Sequence, residues 1–443
     1  MDWVALKTRT EEWSSGKNVW YRRSRVLKRR ILLLLVVFGP GIITSNVDND
    51  AGGIGVYTQA GAKYGYALLW ALIPMTIALY VTEEMCARLG VVTGKGLSDL
   101  IREEFGFRAT FFVVVMGFLV DMCNVVAEFV GVAEASKIFH ISPYISVPFF
   151  AFLIWVLVLI GTYKVVEIVF LFAVALYGVY GISAFMAHPN WLLAAKSTVI
   201  PNFQMNASYL LMLTALVGTT IAPWQFFYMQ ASFVEKRVGP KQYPQARMDV
   251  LIGTISCMVV VFFIIVCTAA TLHAAGHFEI LDGGEAAQAL LPLAGKAAAI
   301  IFAIGLFNAS IFAASVLPLS TAHVVCEGLG FEAGIDRKFS EAPIFYWLYT
   351  VLIVVGAGFV LFIPQHALYK VLVYSQVANG VWLPVVVIFL VLLANRRDLL
   401  GDRVNSRTFN VIAWTTSILM IILTIILVFA AIFPSKLGGV PGV

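Results

Sequence analysis

The sequence predicts an all-α polytopic membrane protein. Of its 443 residues, 60% are hydrophobic and 12% are charged, and the mean hydropathy is +0.89. A soluble domain has roughly half of its residues apolar and about a quarter charged, so this composition excludes one. Eleven apolar segments are long enough to cross a bilayer as helices. They are residues 31–62, 65–85, 109–135, 144–162, 165–187, 207–234, 249–273, 295–322, 342–363, 369–394 and 408–433.

Two of these segments, the first and the sixth, are interrupted. The first contains Asp48–Gly53, and the sixth contains Pro223, which lacks a backbone N–H. Segments that lie five apart cross the membrane in opposite directions. Broken helices at matching places in two inverted halves indicate a transport site near the bilayer midplane. The sequence shows no residue-level repeat, so the inverted repeat is predicted from topology alone.

The first interruption places acidic side chains inside an apolar run. A carboxylate at that depth is costly unless it is hydrated, paired or bound to a cation. Gly52 and Gly53 allow the helix to unwind and to expose backbone carbonyls. We therefore predict that Asp50 binds a cation together with the carbonyl of Val47. The alternative is that Asp48, Asn49 and Asp50 cap a helix end at the membrane surface.

The second interruption supplies neutral oxygen atoms. Pro223 is predicted to leave the backbone carbonyls of Thr219 and Ala222 without hydrogen-bond donors. The alternative is that Pro223 only kinks the helix. Gln376 in segment ten offers a further neutral oxygen, that of its side-chain amide. Neither interruption contains Cys, Met or His, so the sequence gives no support for a soft metal. Mg²⁺ accepts one or two carboxylates and keeps several waters, for which small side chains leave room, and Mn²⁺ also accepts oxygen ligands.

Further polar residues define a candidate ion path. In segment three, Asp121, Asn124 and Glu128 are spaced three and four apart and share one helical face. They line an ion or proton route, or they hydrogen-bond neighbouring helices; the sequence leaves both interpretations open. The complete set of candidate path residues is Asp48, Asn49, Asp121, Asn124, Glu128, Gln225 and Asn379. Glu83 and Glu84 close segment two and are predicted to lie at the membrane interface.

The distribution of basic residues predicts the orientation. With a cytoplasmic amino terminus, 24 of the 30 Lys and Arg residues lie on the cytoplasmic side. Residues 1–30 are then a basic amphipathic arm on the membrane surface, and the carboxyl terminus lies outside. The net charge of +5 follows from this topology and does not indicate nucleic acid. We expect a multi-pass protein of a prokaryotic plasma membrane.

Several stretches resemble the NRAMP family of divalent-metal transporters. They are Gly39-Pro40-Gly41, Gln59 to Tyr66, Ala87 to Lys95, Ala127 to Gly131 and Ser375-Gln376-Val377. The resemblance implies a LeuT-like fold with two inverted five-helix repeats, broken helices 1 and 6, and an eleventh helix. The predicted units are residues 1–30, repeat one at 31–187, repeat two at 207–394 and helix 11 at 408–433.

The departures from the family pattern concern the metal ligands. The family's Asp-Pro-Gly-Asn stands here as Asp50-Ala51-Gly52-Gly53, so Gly53 replaces an asparagine ligand. The family's Met-Pro-His stands as Ala222-Pro223-Trp224, without the thioether. Val125 occupies the position of an acid, and segment nine lacks the arginine of a proton route. This pattern is similar to the NRAMP-related magnesium transporters, and it implies Mg²⁺ and Mn²⁺ transport with weak or no proton coupling.

The predicted function is alternating-access transport of divalent cations at a site formed by Asp50, Val47, Gly53, Thr219, Ala222 and Gln376. The alternative is a proton-coupled Mn²⁺/Fe²⁺ importer of the main NRAMP type. Two further alternatives are disfavoured. A metal sensor built on a transporter scaffold would need a large soluble effector region. A sodium-coupled amino-acid carrier would have to bind the substrate carboxylate beside the acidic Asp50, which repels it. No nucleophile–base pair or phosphate loop indicates an enzyme, and no cofactor is predicted because the metal is the substrate.

Overall fold

The structure is a computed structural model that describes residues 39–161, 163–280, 291–364 and 368–432. The described part is helical almost throughout. In chain order its α-helices are α1 (Pro40–Val47), α2 (Ala51–Tyr64), α3 (Leu72–Thr93), α4 (Leu97–Ile138), α5 (Pro143–Ile160), α6 (Tyr163–Leu176), α7 (Gly178–Met186), α8 (Trp191–Val199), α9 (Ala207–Thr220), α10 (Pro223–Glu235), α11 (Tyr243–Thr268), α12 (Leu291–Leu329), α13 (Pro343–Phe362), α14 (Leu368–Ala394), α15 (Arg397–Leu400) and α16 (Arg407–Ile432).

Ten helical stretches of the described chain are long and apolar enough to cross a membrane. The first predicted segment is not among them because α1 and α2 have only 8 and 14 residues. Counted with this interrupted pair, the eleven predicted segments all have helical counterparts. The predicted arm at residues 1–30 lies outside the described residues, and the repeat boundaries stay a prediction.

The membrane-facing surface is apolar, as the composition requires. Large side chains on the outer helices α5, α6 and α16 are mostly exposed, among them Phe152, Phe172 and Ile425. Because lipid is as apolar as these side chains, such a surface is stable in a bilayer and indicates a membrane interaction. Buried polar residues, among them Asp50 and Thr219, lie inside the bundle at the two helix breaks.

Close backbone contact brings α14 against α9. A Cβ atom added at Gly218 would overlap the backbone of Gln376 and Gly380, so these helices touch where only glycine fits. Small residues at such crossings are typical of membrane helix packing. The contact places Gln376 beside the end of α9, where the second break begins.

The first half of the interrupted helix is held by a buried acid. Asp249 of α11 accepts hydrogen bonds from the backbone N–H groups of Gly39, Gly41 and Ile42 at 3.2, 2.7 and 3.4 Å. These N–H groups stand at the start of α1 and have no partner within their own helix. Asp249 therefore anchors α1 to α11 at the end distant from the break.

Candidate cation site at two helix breaks

The first break lies between α1 and α2, and Asp50 caps the second half. Asp50 has an extended backbone (φ −70°, ψ 179°), and its Oδ1 accepts the N–H of Gly53 at 2.5 Å. This is the N-cap geometry that acidic side chains favour. Only 1% of Asp50 is exposed, so the cap lies in the protein interior rather than at the membrane surface.

The carbonyl of Val47 loses its helical partner at this break. In a continuous helix the N–H of Ala51 would donate to Val47, four residues earlier. It donates instead to Oε2 of Glu128 on α4, at 3.0 Å. The unwinding therefore does what the glycines predicted: a backbone oxygen and a carboxylate become available near one another.

The second break lies between α9 and α10 and is apolar. Ile221 and Ala222 have non-helical backbones, and Pro223 is the first residue of α10. Because proline has no N–H, the carbonyl of Thr219 has no donor from the position four residues later. The carbonyl of Ala222 accepts the N–H of Gln225 at 3.2 Å.

The two breaks touch each other. A Cβ atom added at Gly53 would lie 2.9 Å from Oγ1 of Thr219 and 3.1 Å from Oδ1 of Asp50. The Thr219 hydroxyl is buried and has no hydrogen-bond partner. A buried hydroxyl without a partner is costly, and it marks a place where a ligand or water is expected.

Gln376 of α14 closes the site from a third side. Its amide lies next to the Asp50 carboxylate, and the amide nitrogen Nε2 packs against Gly52, where a Cβ atom would overlap it. Its Oε1 accepts Nδ2 of Asn379 at 2.7 Å, and Asn379 forms reciprocal amide hydrogen bonds with Asn124 at 2.8 and 3.2 Å. The amide network orients Gln376 toward the first break.

The three polar residues on one face of α4 all contact neighbouring helices. Glu128 accepts from Ala51, Asn124 pairs with Asn379, and Asp121 accepts the hydroxyl of Thr321 at 2.9 Å. Glu128 and Asn124 border the breaks or the amide network beside them. Asp121 reaches α12 instead.

The residues just before Asp50 face inward as well. Asp48 is fully buried, and one end of the Gln225 amide lies 2.6 and 2.5 Å from its two carboxylate oxygens. With nitrogen in that position, Gln225 donates to both oxygens. The carbonyl of Asn49 accepts the hydroxyl of Tyr177 at 3.0 Å, whereas both polar atoms of its side chain are buried and have no partner except a weakly polar thiol.

Sequence reasoning missed Glu83 and Cys257. The structure buries Glu83 and Glu84 inside the protein, so their predicted position at the membrane interface is wrong. Helix α3 runs eight residues further than predicted, to Thr93, and ends at Gly94 in the left-handed conformation. A glycine just past a helix is the usual stop signal, and it could have placed Glu83 in mid-helix. Cys257 of α11 lies beside Asn49.

The site can bind a cation because its acids lack basic partners. None of the ion pairs found in the described chain includes Asp48, Asp50, Glu83, Asp121 or Glu128. Within the part of the chain that the structure describes, no three His, Cys, Asp or Glu side chains form a group that could hold a metal ion. A cation there would use carboxylate, carbonyl and amide oxygens.

The chain matches the family profile described as natural resistance-associated macrophage protein-like over residues 41–430. It is 27% identical to the divalent metal cation transporter MntH of Granulibacter bethesdensis, over 92% of this chain and 91% of that one. It is 28% identical to MntH of Deinococcus radiodurans, over 89% of each chain.

Solved structures show the same fold. A manganese transporter of Eremococcus coleocola superposes with a TM-score of 0.74 at 22% identity, covering 89% of this chain and 86% of that one. The nucleobase-cation-symport family transporter Mhp1 gives a TM-score of 0.54 at 14% identity, covering 88% and 92%. The predicted LeuT-like fold is confirmed. The chain therefore belongs to the Nramp family of divalent-metal transporters, and it is not an enzyme.

Proposed function

We propose that this transporter carries Mg²⁺ by preference and Mn²⁺ as well, bound partly hydrated at Asp50 between the two breaks. The ligands are the Asp50 carboxylate, the carbonyls of Val47 and Thr219, and the oxygen of the Gln376 amide, which must turn over because its nitrogen faces Gly52. Gly53 and Ala222 line the site, and water completes the coordination. One observation carries the proposal: the groups around Asp50 offer oxygen, and the side chains at the second break are Ala222 and Trp224. Soft ligands select transition metals, whereas carboxylate, carbonyl and water oxygens suit Mg²⁺ and Mn²⁺.

The small side chains at the site favour a partly hydrated ion. Mg²⁺ loses its water reluctantly and keeps several waters in most protein sites. Gly52 and Gly53 have no side chains beside Asp50, where the Gln376 amide and the Thr219 hydroxyl pack against them, and Ala222 has only a methyl group at the second break. The orphaned Thr219 hydroxyl can bind one of those waters. This set supports an ion that is held by few protein ligands and keeps part of its water.

The packing of α4 against α13 supports weak or no proton coupling. Val125 of α4 stands where the family has an acid. It packs closely against Gly356 of α13, where an added Cβ atom would lie 2.6 Å from Cγ1 of Val125. This contact is apolar and offers no proton acceptor. Asp121 and Glu128 accept hydrogen bonds from Thr321 and Ala51, which gives both a structural role, and Glu128 also lies beside the Asp50 carboxylate.

The second candidate is a proton-coupled Mn²⁺ or Fe²⁺ importer. The relatives named MntH and the Eremococcus coleocola manganese transporter favour it. Uptake into proteoliposomes under an imposed pH gradient separates the candidates. We expect Mg²⁺ entry to be insensitive to the gradient and to leave the internal pH constant. Acidification that accompanies cation entry would support the second candidate and contradict the first.

We also propose that the amino terminus is cytoplasmic and that the ion passes between Asp50 and the cytoplasm beside Asp48, Asn49 and Gln225. The basic residues support the orientation, because it puts 24 of the 30 Lys and Arg residues of the sequence on the cytoplasmic side. Alternating access would require α1 and α10 to move relative to the helices that surround them.

The site assignment is tested by Mg²⁺ uptake into liposomes containing Asp50→Ala. We expect uptake to be abolished, with a thermal unfolding midpoint close to that of the wild type. A suitable control is Asp398→Ala, which removes an exposed acid paired with Arg396 at the protein surface. Wild-type uptake by Asp50→Ala would defeat the assignment.

A further inference from the structure

Two adjacent acids on α3 have different surroundings although both are buried. Glu84 is paired: it lies 3.3 Å from the Arg88 guanidinium and accepts the hydroxyl of Tyr243. Glu83 has only hydroxyl donors, Ser45 at 2.7 Å and Thr254 at 2.9 Å, both on Oε2. Its Oε1 is buried and has no hydrogen-bond partner.

Glu83 faces Asp48. Ser45 and Asp48 are three residues apart on α1, and Asp48 still has a helical backbone (φ −61°, ψ −18°), so their side chains share a face. Because Glu83 bonds to Ser45, it lies beside Asp48, close enough for the two carboxylates to repel each other. In the described chain neither has a basic partner among the ion pairs of the structure.

An unpartnered amide points to a ligand at the same place. Both polar atoms of the Asn49 side chain are fully buried, and among the described residues they have no partner except the weakly polar thiol of Cys257. Asn49 lies beside Cys257, and Cys257 in turn borders Asp48 and Glu83. Buried polar groups are normally satisfied, so an orphaned amide and an orphaned carboxylate oxygen together indicate a missing oxygen-coordinated ion or its waters.

We infer that Asp48 and Glu83 form a second divalent-cation position, with Asp48 two residues before Asp50 on the interrupted helix. Two carboxylates balance the charge of one Mg²⁺ or Mn²⁺ ion, and Ser45, Thr254 and Asn49 supply neutral polar groups around it. That a transported ion binds at this position on its way through the protein rests on the proposed function. The carboxylates of Asp50 and Glu128 form a comparable acid pair at the first position.

The test uses Mn²⁺ as the probe and counts bound ions by electron paramagnetic resonance on the purified full-length protein. Asp50→Ala removes the first position, and we expect Mn²⁺ binding to persist in this variant. Binding should be lost when Glu83→Gln is added to Asp50→Ala. The amide oxygen of the introduced glutamine can still accept from the Ser45 and Thr254 hydroxyls, so the loss would report the charge rather than the hydrogen bonds.

Glu83→Gln alone should retain Mn²⁺ binding at Asp50. Its uptake of Mn²⁺ into liposomes should fall by about tenfold or more, which corresponds to an increase of about 1.4 kcal/mol in the activation free energy of transport. Asp48→Asn is the second variant and should behave in the same way. Glu84→Gln is the matched control, because it alters the neighbouring buried acid whose partners are known, and its uptake should stay near the wild type.

The outcomes separate this inference from the proposed function. If the wild type binds and carries Mn²⁺ but Asp50→Ala binds none, the second position is wrong and the first stands. Wild-type uptake by both Glu83→Gln and Asp48→Asn would also overturn the second position. A wild-type protein that neither binds nor carries any divalent cation would contradict the proposed function itself.

Discussion

The two helix breaks are built differently, although they occupy matching places in the fold. The first contains Asp48, Asn49 and Asp50, and its chain turns because the Asp50 side chain caps α2. The second contains Ile221, Ala222 and Pro223, and its chain turns because proline cannot continue the ladder. The first break therefore contributes charge and the second contributes shape. Substitutions at the first should change whether a cation binds, whereas those at the second should change how well it fits.

The largest effect is expected from Asp50→Asn. Asparagine caps a helix about as well as aspartate, so the stabilisation of about 1 kcal/mol from the cap should remain and the unfolding midpoint should hardly change. Removal of the charge should lower Mg²⁺ uptake by about a hundredfold or more, because an amide cannot balance the charge of a dication that has lost part of its water. Uptake near the wild-type rate would show that the carboxylate serves only as a cap.

A smaller loss is expected from Gly52→Ala. The added Cβ atom overlaps the Gln376 amide, so Gln376 must leave the site or α14 must shift. We expect the apparent affinity for Mg²⁺, measured by competition with Mn²⁺, to fall by about tenfold, since tenfold corresponds to about 1.4 kcal/mol. Combining Gly52→Ala with Gln376→Ser removes the overlap and should not restore affinity fully, because the amide ligand is then missing. Full recovery would exclude Gln376 as a ligand.

At the second break, Pro223→Ala should lower the uptake rate by a few-fold without changing the order of preference among Mg²⁺, Mn²⁺ and Ca²⁺. Alanine has a backbone N–H that can donate to the Thr219 carbonyl in competition with the ion, whereas the charge at Asp50 is unchanged. Uptake of the three ions by one liposome preparation provides the measurement. A changed order of ions would mean that the backbone turn at Pro223, rather than the ligand atoms, determines selectivity, contrary to the account.

The smallest effect is expected from Thr219→Val, which replaces a hydroxyl by a methyl group of similar size. Because the Thr219 hydroxyl is buried without a partner, its removal should leave the empty protein equally stable or slightly more stable. The affinity for Mg²⁺ should fall by about two- to fivefold through loss of a contact to the ion or its water, a cost of about 1 kcal/mol or less. A clear loss of thermal stability would indicate that the hydroxyl has a structural partner.

Local chemistry made the helical fold and the two breaks predictable. Asp50 within an apolar run and Pro223 in mid-segment mark the two breaks without knowledge of their neighbours. The contacts between breaks were not predictable, because Gln225 reaches Asp48 and Glu83 reaches Ser45 from elements far away in sequence. The interpretation of Glu83 failed for a simpler reason: the end of α3 was placed too early, before the stop signal at Gly94. Cys257 was missed because its segment carries no break of its own.

The most direct test of the oxygen-ligand account is an anomalous difference map of the wild-type protein with Mn²⁺ bound. We predict a peak in contact with the Asp50 carboxylate, between Gly53 and Thr219, where the two breaks meet. A map in which the ion contacts the Cys257 sulfur, or in which Asp50 contacts only protein atoms, would contradict the account.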